Sequence, residues 1–229
     1  MLASSGKTGG ARIVAEHLAK VAIADATVEV HIAGHSAGSI LHGALIPVLT
    51  DKAPKGKGLT IESCTLWAPA CTVDLFRSNY LPALDAGTIK RFALFTLTDD
   101  AEQDDNCADI YHKSLLYLVS NAFEEKSKIP LVRDGWPILG MQKFVKQYLG
   151  PVFKKKDREF VLCPNDELEG SPSASRARSH GDFDDDICTL KSTLARILNA
   201  QRTDQVEFAF HHSASSQRNR REKLMMQSN

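Results

Sequence analysis

From Thr8 to Ala24 the stretch TGGARIVAEHLAKVAIA spaces Ile13, Val14, His17, Leu18, Val21 and Ala22 three and four residues apart. That interval gathers apolar groups on one helical face and predicts a helix opening at Thr8 or the glycines. The period then changes. Thr27 to Ala33 is short and β-branched, Ser39 to Thr50 returns to helix-compatible residues, and the turn-rich DKAPKGKG closes it. Three more apolar runs of strand length follow: LTIESCTLWA (59–68), IKRFALFTL (89–97) and REFVLCP (158–164). Between and after them, helical spacing recurs at about Val73 to Leu84, His112 to Phe123, Leu139 to Leu149 and Asp184 to Asn199.

Strands alternating with helices predict an α/β fold: a mostly parallel sheet of about four strands with helices on both faces. No internal repeat interrupts it. NDELEGSPSASRARS (165–179) is loop by composition. Residues 1–200 read as one domain and 201–229 as a carboxyl-terminal extension, disordered from about 211, where HHSASSQRNRREKLMMQSN is polar and basic.

Composition narrows the function classes. The 229 residues are 43% hydrophobic and carry 28 basic and 28 acidic side chains, so no global field draws the chain to nucleic acid or an anionic membrane. RNRREK in the tail is a minor nucleic-acid candidate, set against the plainer expectation of a solvated terminus. Five scattered cysteines (Cys64, Cys71, Cys107, Cys163, Cys188) lack C-x-x-C spacing and suggest neither a disulfide framework nor zinc. With no signal-peptide pattern and no long apolar span, the expectation is a soluble, cytoplasmic chain. Ser5-Gly6-Lys7-Thr8 resembles the end of a phosphate loop but lacks the required upstream glycine and strand.

The chemistry centres on Gly34-His35-Ser36-Ala37-Gly38, a G-x-S-x-G pattern lying where the β-branched run meets the helical one. A serine on so sharp a strand-to-helix turn is held at strained backbone angles, and glycines two residues either side relieve the expected collisions. The same turn aims a helix amino terminus at the hydroxyl, so the Ala37 N–H is the expected oxyanion donor. An inert serine in a glycine-rich turn is the plainer alternative, and the strand-then-helix context weighs against it.

A serine hydroxyl needs a base, and the base needs an orienting acid. Of eight histidines, His180 lies on a loop between the last strand and the last helix. His17, on the apolar face of the first helix, His31 in a strand, and His211 and His212 in the tail need no catalytic role. His35 precedes the serine and is expected to point away from it, and His42 is a candidate pocket wall. The acid is expected after the third strand, in LTDDAEQDDNCAD: Asp99 ranks first, then Asp100, then Asp105, with Asp104 and Asp109 also present. A calcium loop is a minor option because the D-x-[DN]-x-[DN]-G spacing is absent. Asp184 to Asp186 are assigned to capping the following helix.

Taken together, GHSAG, the acidic loop after the next strand but one and SHG before the closing helix resemble the carboxyl-terminal catalytic half of an α/β-hydrolase, over about residues 8 to 200. The resemblance implies a serine hydrolase of carboxylic esters or related acyl bonds, with Ser36 as nucleophile, His180 as base, Asp99 as acid and Ala37 as oxyanion donor. It requires no metal and no organic cofactor. The segment YHKSLLYLVSNAFE (111–124) is expected near the site, with a buried amphipathic helix an equal reading. The chain departs from the family at its start: only one helix precedes the Val28 strand, so the first four strands and the loop supplying the second oxyanion donor have no counterpart. That reads as truncation and implies an open strand edge, weakened turnover, and self-association or a completing chain at that edge. The alternative to the enzyme is a catalytically inactive fragment acting as an interaction module.

Overall fold

The computed structural model describes residues 9–50, 59–105, 114–120 and 135–200, without the side chains of residues 11 and 23. The expectations for 1–8, for the turn at 51–58, for Cys107 and Asp109, for 111–113 and 121–124 and for the extension 201–229 lie outside the described residues.

Four strands, β1 (His31–His35), β2 (Ser63–Trp67), β3 (Phe92–Leu97) and β4 (Arg158–Cys163), form one parallel sheet in the order β1-β2-β3-β4. The α/β expectation holds. Every residue of β2 and β3 is buried, whereas β1 and β4 alternate, as inner and outer strands of a parallel sheet must. The first strand begins later than its β-branched run, at His31, and ends at the residue before Ser36.

Helices cover both faces. Helix α1 (Gly10–Ala24) packs on α2 (Gly38–Thr50), which lies against β1. Next comes a composite run: α3 (Val73–Leu75), a π-helical turn (Phe76–Tyr80) and α4 (Leu81–Asp85). On this face Phe76 and Tyr80 stack with ring centroids 5.6 Å apart, and Phe92 of β3 meets Phe76 at 5.5 Å. A short helix α5 (Asp99–Asp104) follows β3 directly, where the sequence suggested only loop; Thr98 caps it through Ala101 N. Two further helices, α6 (Leu115–Leu118) and α7 (Gln142–Leu149), come before β4. Helix α8 (Ile187–Ile197) covers the opposite face, where Trp67 Nε1 of β2 donates to Thr193 Oγ1 at 3.2 Å and Arg196 lies over the Phe95 ring.

Helix α1 departs from its predicted packing. Ile13, Val14, Leu18 and Val21 are exposed, His17 is exposed as well, and among the described side chains of the helix Ala15 is the buried one. The helical period is as read, but among the described residues no element covers its broad apolar stripe, and β1 is the outermost strand of the sheet.

Proline in the middle of α2 shows how a local defect is repaired. Pro47 has no N–H for the carbonyl of Gly43, one turn back. Asn79 Nδ2, from the π-helical turn, donates to that carbonyl at 2.7 Å instead. The turn and α2 also touch closely at Gly43, where an added Cβ would meet Leu75 at 3.0 Å and Tyr80 at 3.2 Å. Asn79→Ala should therefore cost about 1–2 kcal/mol, the penalty for a carbonyl left without a partner in a half-buried site, measured as a lower urea midpoint at unchanged slope.

Candidate active site

Ser36 sits directly after β1 with φ 51, a left-handed conformation that a non-glycine residue adopts rarely. The surroundings hold it there. Its N–H donates to Trp67 O at 3.0 Å, and its carbonyl accepts from Ser39 N (3.1 Å), Ser39 Oγ (2.6 Å) and Ala70 N (3.0 Å). Ser39 is fully buried; its hydroxyl also takes the N–H of Cys71 at 3.1 Å, and its carbonyl takes the Tyr80 hydroxyl. Strain of this kind persists only where neighbours over-determine the backbone. Ala68, one residue past β2, is left-handed too (φ 38), so two strained residues mark the carboxyl ends of adjacent strands.

The flanking glycines are not equivalent. A Cβ at Gly34 would lie 2.6 Å from Cδ2 of His42, whereas one at Gly38 meets nothing within 4 Å. The collision expected on both sides exists on one. His42 fills the space that Gly34 leaves, and its Nε2 bonds the Ala33 carbonyl at 2.9 Å; burial holds its pKa below the usual histidine value. It is a structural wedge against β1 rather than a pocket wall.

Ala37 is exposed, and its N–H donates no hydrogen bond among the described residues, so it is free to serve an oxyanion. The Ser36 hydroxyl likewise has no hydrogen-bond partner among them. His180 lies close by, because its carbonyl accepts from Nε2 of His35 at 2.9 Å and the two imidazoles stand 5.0 Å apart. The loop that carries it is shaped by two aspartates. Asp182 accepts from Arg178 N (3.0 Å) and Ser179 N (2.9 Å), and Asp186 caps α8 through Cys188 N and Thr189 N. Capping is thus the role of Asp186, while the helix starts at Ile187 rather than Asp184.

The acids separate by position. Asp99 makes no hydrogen bond to His180; its oxygens take the Tyr117 hydroxyl at 2.8 Å and Gln103 Nε2 at 3.0 Å, and its N–H is held by Gln142 Oε1 at 2.6 Å. Asp100 and Asp104 are exposed on α5. Asp105 instead reaches the histidine: its Oδ2 accepts from the backbone N–H of His180 at 2.9 Å. The imidazole is buried, its Nδ1 has no partner, and desolvation first, then the neighbouring His35, pull its pKa down to about 3. His180 is therefore neutral at pH 7.

A fifth acid, Glu102, went unnoticed in the sequence. It is fully buried on α5, where its carboxylate accepts from the Ser114 hydroxyl and its backbone carbonyl accepts from Ser114 N at 2.9 Å. Burial raises its pKa to about 8, against the bond to Ser114 and with help from Asp105 and Asp99. An acidic loop gives no sign of which carboxylate faces inward.

No protein-family model, curated protein or solved structure matches this chain. Among the described residues no cluster of His, Cys, Asp and Glu is placed to hold a metal, and no helix is long and apolar enough to cross a membrane.

Glu102 makes stability depend on pH with a definite sign. The folded chain keeps a proton that the unfolded chain releases near pH 4.5, so this contribution is complete below about pH 4.5 and lost as pH rises through about 8. Glu102→Gln should flatten the decline in melting temperature between pH 5 and 8; a decline as steep as in the wild type would mean that Glu102 is ionised in the folded protein.

Proposed function

We propose that this chain is a serine hydrolase of carboxylic esters or related acyl bonds, built like the catalytic half of an α/β-hydrolase. The observation that carries the proposal is the strained φ of Ser36 between β1 and α2, with the His180 loop tied to the residue before it. Such a turn lifts the hydroxyl off the sheet and sets it beside a helix amino terminus. Nothing in packing alone demands a serine there.

The chemistry follows the residues. Ser36 Oγ attacks the acyl carbonyl carbon while His180 takes the hydroxyl proton; the carbonyl π bond opens to an oxyanion that the Ala37 N–H receives. Collapse expels the alcohol, protonated by His180, and leaves an acyl-serine. Water, deprotonated by the same imidazole, then releases the acid and restores the serine. The transient imidazolium needs a carboxylate. Asp105, already bonded to the backbone of His180, takes that role in place of Asp99, whose oxygens are committed to Tyr117 and Gln103. Ser36 and His180 share no hydrogen bond without substrate, and catalytic contacts commonly tighten only when substrate binds.

A fluorophosphonate probe should label Ser36 in the wild type and not in Ser36→Ala; an unlabelled, folded wild type would refute the mechanism. Asp105→Asn should lower ester turnover by about 10²-fold or more, since the imidazole loses its orienting anion, while Asp99→Asn stays within several-fold. The reverse order would return the acid to Asp99.

A separate observation favours an interaction at the sheet edge. Val30 O and Ser36 N bond β2, so by alternation His31, Ala33 and His35 turn their backbone groups outward along β1. The exposed apolar residues Ile13, Val14, Leu18 and Val21 of α1 and Leu41 of α2 belong to two helices that pack on each other, α2 resting against β1. We propose that a second copy of the chain covers this edge. Sedimentation velocity over a hundredfold concentration range should show a monomer–dimer shift that Val14→Glu with Leu18→Lys abolishes; a monomer throughout would exclude it.

A further inference from the structure

His35 looks incidental in the sequence, a variable position inside G-x-S-x-G. The structure gives it a specific partner. Its ring lies on the α8 face of the sheet, since His35 pairs with Trp67 in register and Trp67 reaches Thr193. There its Nε2 meets the carbonyl oxygen of His180 across 145 residues of sequence, at 2.9 Å. A carbonyl only accepts, so Nε2 carries the hydrogen. Phe183, fully buried in the same loop, closes against the ring with centroids 6.1 Å apart.

The two hydrogen bonds on residue 180 are complementary. Asp105, after β3, holds its N–H; His35, at the end of β1, holds its C=O. The backbone of the histidine is thus slung between the ends of two strands, one of which continues directly into Ser36. Its imidazole makes no hydrogen bond of its own at Nδ1. The sling fixes the backbone of residue 180, while burial and the neighbouring His35 ring confine its imidazole.

We propose that His35 is a positioning residue: its Nε2–H anchors the carbonyl of His180 and so sets the distance between the general base and the Ser36 hydroxyl. This deepens the hydrolase proposal and rests on it. Because His35 and Ser36 are consecutive, any movement of the elbow carries the anchor with it, and nucleophile and base move together. A rigid tie of this kind matters because a displacement near 1 Å can cost about 10²-fold in rate.

The test uses three substitutions in the full chain. His35→Phe keeps a ring but removes the donor, and His35→Leu is a second donor-free variant in case the first fails to fold. His35→Gln places an amide N–H near the position of Nε2. With p-nitrophenyl butyrate, the donor-free variants should lose about 10- to 100-fold in kcat with KM within about twofold of wild type, and His35→Gln should recover most of that loss. Amide hydrogen exchange of the 177–183 segment supplies a readout independent of turnover: faster in His35→Phe and His35→Leu, and near wild type in His35→Gln. Unchanged kcat in a folded donor-free variant overturns the positioning role, as does unchanged exchange. If the wild type neither turns over the ester nor takes the fluorophosphonate, the hydrolase proposal fails by itself, and the exchange measurement still decides whether His35 anchors the loop.

Discussion

Everything at the carboxyl end of the sheet depends on holding Ser36 in a backbone conformation it would otherwise leave. Left-handed angles at a non-glycine residue cost of order 1–3 kcal/mol, and four hydrogen bonds to its own peptide groups offset that cost. Those bonds come from three different places: the next strand through Trp67, the first turn of α2 through Ser39, and the segment after β2 through Ala70. Ser39 is the hub, since it also engages Cys71 and Tyr80 while fully buried. The elbow is thus welded to the fully buried β2 strand and to the aromatic layer of Phe76, Tyr80 and Phe92 beneath it. Its position is as rigid as the core.

The histidine loop follows a different physical logic. It joins the core through the buried Ala177 and Phe183, and its shape comes from the Asp182 and Asp186 carboxylates accepting from nearby backbone N–H groups. Its place over the sheet comes from Asp105 and His35. Burial, with His35 beside it, keeps the imidazole neutral. Asp105 bonds the backbone N–H of the same residue. Glu102, the other buried acid on this side, holds a proton at neutral pH and so adds structure rather than charge.

The outer strands face unlike surroundings. At β4, Arg158 is buried and paired with Asp85, and Arg196 of α8 pairs with Glu159, so that flank is finished with polar contacts. At β1 the finish is partial: His42 takes the Ala33 carbonyl, and beyond it α1 presents Ile13, Val14, Leu18 and Val21 to solvent. Apolar side chains in such a row reward whatever excludes water from them. This contrast, rather than any sequence motif, sets the first strand apart from the last.

Local patterning determined a good deal of this protein. Short apolar runs marked all four strands and period-3.6 apolar spacing the main helices, because burial within a parallel sheet and against its faces imposes those patterns whatever the partner elements are. The glycine-flanked serine marked the elbow, since positive φ and close approach leave a local trace in residue type. Tertiary structure decided the rest. Five carboxylates within seven residues, Asp99 to Asp105, look alike in sequence, and only the geometry of α5 separates Asp105, facing His180, from Asp99, facing Tyr117, and from Glu102, facing Ser114. Gly34 and Gly38 look equivalent, and only the packing of His42 distinguishes them. His35 meets His180 through a contact spanning 145 positions, and α1 shows a helical period that says nothing of what lies against it. Spacing along a chain records which face a residue is on; it does not record what stands opposite that face.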